Sequence, residues 1–279
     1  MTFKRILSIQ DISCVGQCSM TVALPILSAC GIETAILPSA VLSTHTGGFT
    51  GFTVRNLADD MPAINKHWQK EGITFNAIYT GYLGSKEQVQ YVLDIKEGCL
   101  ENGGLLICDP AMADNGKLYY GFDMEYVEAM KRLCVAADII LPNITEACMM
   151  CGMEYKEEYD RSYIEALMKA LTDMGAKTVV LTGVALEEGK TGSAVFENGK
   201  LTVYQHRRYA KGCHGTGDIY ASAFTGALMN GIDVCKAAEI AADYTVACIG
   251  NTQAHPDHWY GAMFEGELPG LIEAIRSCK

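Results

Sequence analysis

The feature that most constrains the fold is a series of short, almost wholly apolar runs spaced along the chain. They read "KRILSIQ" (4–10), "ETAILPSAV" (33–41), "NAIYTGYLG" (76–84), "LLICDP" (105–110), "DIILPN" (138–143) and "TVVLTG" (178–183). Each is rich in Ile, Val or Leu without polar alternation, as expected of strands buried on both faces. Longer stretches of helical character lie between them, at 19–30, 86–101, 123–136 and 160–174. Buried strands alternating with helices predict an α/β fold with a mostly parallel central sheet and helices on both faces. Further on, "GSAVFENGKLTVYQHR" (192–207) alternates on either side of Asn198-Gly199, the signature of a hairpin. Three more helices are predicted at 216–230, 233–250 and 266–277. No repeat, low-complexity tract or linker interrupts the 279 residues, so one domain over 1–279 is expected, with 49% apolar residues to fill its core.

A formal charge of −11 excludes partners that need a basic surface, nucleic acid and anionic membrane among them. It does not exclude a nucleotide, because local amides and a metal ion hold phosphates against an unfavourable overall field. No stretch approaches the ~20 apolar residues of a membrane-spanning helix. The opening "MTFKRILSIQDIS" is too short for a signal peptide. Twelve cysteines without framework spacing fit reduced thiols and a cytoplasmic protein.

In open α/β sheets, ligands bind beyond the carboxyl ends of the strands. Those ends read Gln10-Asp11, Gly81-Tyr82, Asp109-Pro110, Pro142-Asn143 and Thr182-Gly183. A further polar group comes from "HGTGD" (214–218), set directly before a helix of small residues. Gly215 and Gly217 lack a Cβ and allow positive φ and close ligand approach. The N–H groups of Thr216, Gly217 and Asp218 start the helix, where the dipole favours an anion. The Lys of a P-loop is absent, so this is a different anion site. A carboxylate beside unpaired amides suits phosphoryl transfer to an alcohol, the acid taking the proton while the amides hold the migrating group. The plainer alternative is an ordinary loop with Asp218 as a helix cap. "STHTGG" places His45 in a polar, glycine-containing stretch that reads as a flap or as a surface hairpin. Asp109 and Glu146 form the sparse acid set that magnesium prefers, its other ligands being waters and phosphates. The lone Cys148–Cys151 pair has no partner pair and is not read as a zinc site.

Together these blocks resemble the ribokinase-like small-molecule kinases, and within them the pyridoxal (pyridoxamine) kinases. The likeness is carried by "SIQDISCVG", "PSAVLSTHTGGF" (38–49), "DPAMADNGKLY" (109–119) and "GCHGTGDIYAS" (212–222). "TGYLGS" (80–85) and "LPNITEA" (141–147) fall between them in order. The resemblance implies that Asp218 is the catalytic base for a vitamin B6 5′-hydroxyl, with Gly215, Thr216 and Gly217 forming the anion hole. It places Asp11, His45, Thr46, Gly47 and Tyr82 around the pyridine ring. Asp109, Asn143, Glu146, Thr182 and Gly183 fall on the nucleotide side, with Asp109 and Glu146 near the metal. It further implies ATP as donor, Mg2+, a monovalent cation such as K+, and a homodimer. Some relatives have Ser at the position of Asp11, Gly at that of Ala113 and Lys near Gly183. Two alternatives stand beside a B6 kinase: a kinase for hydroxymethylpyrimidine or another small alcohol, and a non-catalytic nucleotide- or B6-binding sensor.

Overall fold

The computed structural model describes residues 4–197 and 199–278. The chain opens with β1 (Arg5–Ser13), α1 (Met20–Ala29), β2 (Glu33–Leu42), a short β3 (Val54–Asn56) and α2 (Met61–Glu71). Next come β4 (Phe75–Thr80), α3 (Lys86–Cys99), β5 (Leu100–Cys108) and a small ribbon of β6 (Ala113–Asp114) and β7 (Lys117–Leu118). The middle holds α4 (Met124–Ala136), β8 (Ile139–Ile140), α5 (Ile144–Cys151), α6 (Arg161–Met174) and β9 (Thr178–Val184). β10 (Lys190–Glu197), β11 (Lys200–Arg207), α7 (Thr216–Met229), α8 (Val234–Gln253) and α9 (Leu268–Ser277) complete it.

Nine strands form one sheet in the order β11-β10-β9-β8-β5-β4-β1-β2-β3. Every pair from β2 through β1, β4, β5 and β8 to β9 is parallel. Antiparallel pairing is confined to the two margins, β2 with β3 and the run β9-β10-β11. The predicted β10–β11 hairpin is present; Asn198 itself lies outside the described residues. Because strand side chains alternate, β1 sends Leu7 and Ile9 into one core and Ile6 into the other. The first core is closed by α3, α4, α5 and α6, the second by α1, α7, α8 and α9. This is the predicted α/β sheet covered on both faces.

Small residues on α7 decide how closely it approaches α1. A Cβ at Gly226 would lie 2.5 Å from the Cys30 thiol, so a larger residue would drive the helices apart. Phe224 on the same helix is fully buried, worth about 2–3 kcal/mol in transfer free energy. The short β3, α2 and the β6–β7 ribbon were not expected. α2 escapes periodicity arguments because only Met61 and Asn65 on it are buried. The β6–β7 ribbon is too short to carry a pattern. No helix among the described residues is long and apolar enough to cross a membrane.

Candidate active site

The parallel strands end on one edge, where a cavity of about 390 Å³ opens. Asp11, His45, Thr46, Gly47, Tyr82, Asp109, Asn143, Glu146, Thr182, Gly215 and Asp218 all line it. Of the residues expected at the site, Thr216, Gly217 and Gly183 are not in the lining but adjoin it in the chain.

Gly215 caps α7 in the left-handed region, at φ 77°. A Cβ there would fall 1.7 Å from the Gln17 carbonyl oxygen, so both backbone conformation and contact demand glycine. The expectation that both glycines supply positive φ holds for Gly215 alone. Gly217 has no such φ, and no protein atom lies within 4 Å of a Cβ built on it. The Ile219 N–H donates to the Gly215 carbonyl at 3.0 Å. The N–H groups of Thr216, Gly217 and Asp218 therefore stay outside the helical ladder. Burial, followed by the negative charge of Asp11, pushes the Asp218 carboxyl up to about 7, although the Ser19 N–H donates to it.

Asp11, at the end of β1, is 4% exposed and accepts a hydrogen bond from the Ser13 hydroxyl at 2.9 Å. Its pKa is raised by burial, against opposing hydrogen bonds from Ser19 and Ser13. His45 lines the cavity, but both ring nitrogens are spent within the chain. Nδ1 accepts from the Gly47 N–H at 3.0 Å, and Nε2 lies 2.7 Å from the Tyr260 carbonyl. With both nitrogens engaged in this way, His45 offers a ring face to the cavity and fixes the 45–47 loop. Gly47 is pressed against His214, whose ring would be 2.7 Å from a Cβ at that position. Tyr82 stacks on Phe122 at 5.4 Å, and Phe122 on Tyr126 at 3.8 Å, a graded aromatic wall.

Opposite stand the acids. Asn143 and Glu146 form a capping box at the start of α5, Asn143 Oδ1 accepting from the Glu146 N–H and Glu146 Oε2 from the Asn143 N–H. Glu146 Oε1 accepts from Met112 N–H at 3.1 Å and Ala113 N–H at 3.5 Å. Burial nonetheless pushes Glu146 up to about 8. Asp109 is raised well above the carboxylate range by burial and then by Glu146 and Asp218. Thr182 is tied to this wall through its N–H, which donates to Pro142 C=O at 2.9 Å. Among the described residues no cluster of three metal-ligating side chains occurs. Two neighbouring carboxylates, one with both oxygens already accepting N–H groups, fit a magnesium ion held largely by waters and phosphates.

The cavity also contains residues that had not been singled out: Ser13, Cys18, Ser19, Asp114, Tyr119, Tyr120 and His214. His214 adjoins the glycine motif and Tyr119 closes the "DPAMADNGKLY" block, so both had a signal beside them. Tyr120, 96% exposed, stands at the cavity mouth just after the β6–β7 ribbon. Among the described lining residues there is no Lys or Arg.

Comparison with known proteins fits this geometry. The family model described as phosphomethylpyrimidine kinase matches residues 28–263. A Bacteroides thetaiotaomicron protein crystallised with pyridoxal is 35% identical, with a TM-score of 0.90 over 97% of this chain and 96% of that one. Lactobacillus plantarum pyridoxal kinase is 32% identical, with a TM-score of 0.90 over 98% of each chain. Pyridoxal kinase of Dictyostelium discoideum is 29% identical over 243 residues, 80% of this chain and 77% of its own. The chain is therefore a kinase belonging to the phosphomethylpyrimidine kinase family, within the ribokinase-like superfamily.

Proposed function

We propose that the protein transfers the γ-phosphoryl group of ATP to the 5′-hydroxyl of a vitamin B6 form, giving the 5′-phosphate and ADP. The observation that carries this reading is Asp218, pushed up to about 7 at the mouth of α7, in one cavity with Asp109 and Glu146. A base poised near neutrality accepts an alcohol proton as the oxygen attacks, and remains ionised above that pH. The N–H groups of Thr216, Gly217 and Asp218 receive the charge on the migrating phosphoryl group. Tyr82, His45, Thr46, Gly47 and Asp11 enclose the ring of the acceptor. Asn143, Thr182 and Gly183 lie on the nucleotide side. Asp109 and Glu146 would hold Mg2+ through its water shell, and the ion supplies neutralisation of the phosphate charge. The same reading includes a monovalent cation such as K+, a homodimer of 1–279 domains and a cytoplasmic setting.

Pyridoxal in the Bacteroides thetaiotaomicron crystal supports the B6 acceptor. The family model described as phosphomethylpyrimidine kinase, with a relative named hydroxymethylpyrimidine/phosphomethylpyrimidine kinase, supports hydroxymethylpyrimidine as the second reading. ADP release measured over pyridoxal, pyridoxamine, pyridoxine and hydroxymethylpyrimidine separates them. The B6 reading expects the highest kcat/KM for a pyridine. A preference for the pyrimidine, or no ADP release with any pyridine, overturns it.

A further inference from the structure

A strap of chain after α8, residues 258–262, braces the acceptor side of the cavity from behind. The Tyr260 carbonyl meets His45 Nε2 at 2.7 Å, and the Ala262 N–H donates to the His214 carbonyl at 3.1 Å. His45 and His214 both line the cavity, their rings 5.2 Å apart. The strap is itself pinned: Gly261 pairs with Gln17, and His258 Nδ1 lies 3.0 Å from the Gly261 carbonyl. Between these anchors stands Trp259. Its indole packs on the Phe49 ring with centroids 4.7 Å apart. It also covers Gly48, which has φ 85° and where a Cβ would lie 3.0 Å from the indole. Phe49 in turn meets His45 edge-on at 5.0 Å. Trp259 is 47% exposed, and neither it nor Phe49 lines the cavity. What the indole covers is the segment that carries Thr46 and Gly47, and these do line it.

We propose that Trp259 is a positioning residue for the acceptor: by clasping Gly48 and Phe49 it sets where the 45–47 wall stands, and so tightens acceptor binding without touching the ligand. Residues 43–53 contain no helix or strand, and glycines at 47, 48 and 51 give the segment little stiffness of its own. Its geometry therefore has to come from neighbours. Two are on the strap, the Tyr260 carbonyl on His45 and the Trp259 indole on Phe49, and the line of rings Trp259–Phe49–His45 ends at the cavity. Asp109, Asn143, Glu146 and Thr182 stand at the ends of other strands, so the effect of the clasp is confined to the acceptor. This inference rests on the B6-kinase reading, which makes the 45–47 wall the acceptor side.

The test is a double-mutant cycle on the full chain, with pyridoxal as acceptor and ADP release as readout. Trp259→Ala should raise the pyridoxal KM about three- to tenfold, the worth of an aromatic pair, while the ATP KM stays within about twofold. Phe49→Ala should do the same. The double variant should be no worse than the poorer single one, because the two changes delete one contact. Trp259→Phe keeps a ring on Phe49 and should hold the pyridoxal KM within about twofold of the unmodified chain. A merely structural role would move both KM values together, multiply in the double variant and show no rescue by phenylalanine. Any of those results, or an unchanged pyridoxal KM in Trp259→Ala, overturns the proposal. If Trp259→Ala does not fold, Phe49→Ala carries the same comparison of the two KM values. An unmodified chain that releases no ADP with pyridoxal overturns the kinase reading itself; calorimetric titration of the same variants with pyridoxal then reads the clasp as a loss of affinity, and equal affinities sink it.

Discussion

Replacing Asp218 with asparagine separates the cost of the proposed base from its use. The carboxyl moves from an ordinary 3.8 to about 7, burial being the main cause and Asp11 the second. The fold therefore binds this proton more tightly than the unfolded chain does. Below pH 3.8 both states are protonated and the group is neutral in its effect. Between 3.8 and about 7 the unfolded chain has lost the proton and the native state has not, so stability falls as pH rises; above about 7 the full loss is present. At about 1.4 kcal/mol per pH unit the ceiling is ~4 kcal/mol, and water in the open cavity reduces it to about 2 kcal/mol. Asp218→Asn keeps the shape and removes the charge. Its melting temperature at pH 8 should exceed that of the unmodified protein by roughly 4 °C, with about a third of that gain at pH 5. Turnover should fall by about 10² to 10⁴, the usual contribution of a general base. Thermal melts at the two pH values, paired with ADP-release kinetics, check both halves. A gain that is equal at pH 5 and pH 8, or a variant with near-normal kcat, would refute the reasoning.

Gly215→Ala places a methyl group against the Gln17 carbonyl at a φ of 77°; we expect a loss of about 2 kcal/mol or more in urea unfolding and near-complete loss of activity. Glu146→Ala removes the acceptor of the Met112, Ala113 and Asn143 N–H groups, so stability should drop by about 3 kcal/mol and the ATP KM should rise, read by calorimetric melts and initial rates. Phe122→Ala leaves the Tyr82 ring without its stacking partner, and the pyridoxal KM should rise about three- to tenfold with kcat little changed.

The sheet was legible in the sequence because its buried parallel strands are continuous apolar runs, and runs such as 178–183 coincide with strands of the structure. The strand-end rule likewise placed Asp11, Tyr82, Asp109, Asn143 and Thr182 at one edge, and all five line the cavity. Local pattern failed where a residue's conformation depends on distant chain. Nothing in "VGQCS" announces the positive φ of Ser19, nor that the neighbouring Gln17 packs against residues 215 and 261, far along the chain. The partner of His45 was hidden for a similar reason: its Nε2 meets the carbonyl of Tyr260, far along the chain.

The site's precision comes largely from main chain packed on main chain. Gln17 is the hub. Its carbonyl abuts Gly215, its backbone pairs with Gly261, and a Cβ at Gly261 would lie 2.5 Å from its own Cβ. Beside it, a Cβ at Gly16 would lie 2.0 Å from the His45 ring. The turn that carries Ser19 thus touches the start of α7, the loop after α8 and the 45–47 segment at once. Contacts between backbones tolerate no added methyl, and unlike side chains they have no rotamer by which to yield. Hence the anion-facing amides and the 45–47 loop keep one spacing even though the residues around them come from widely separated parts of the chain. A site assembled this way shows in a sequence only as glycines, and their partners appear once the chain is folded.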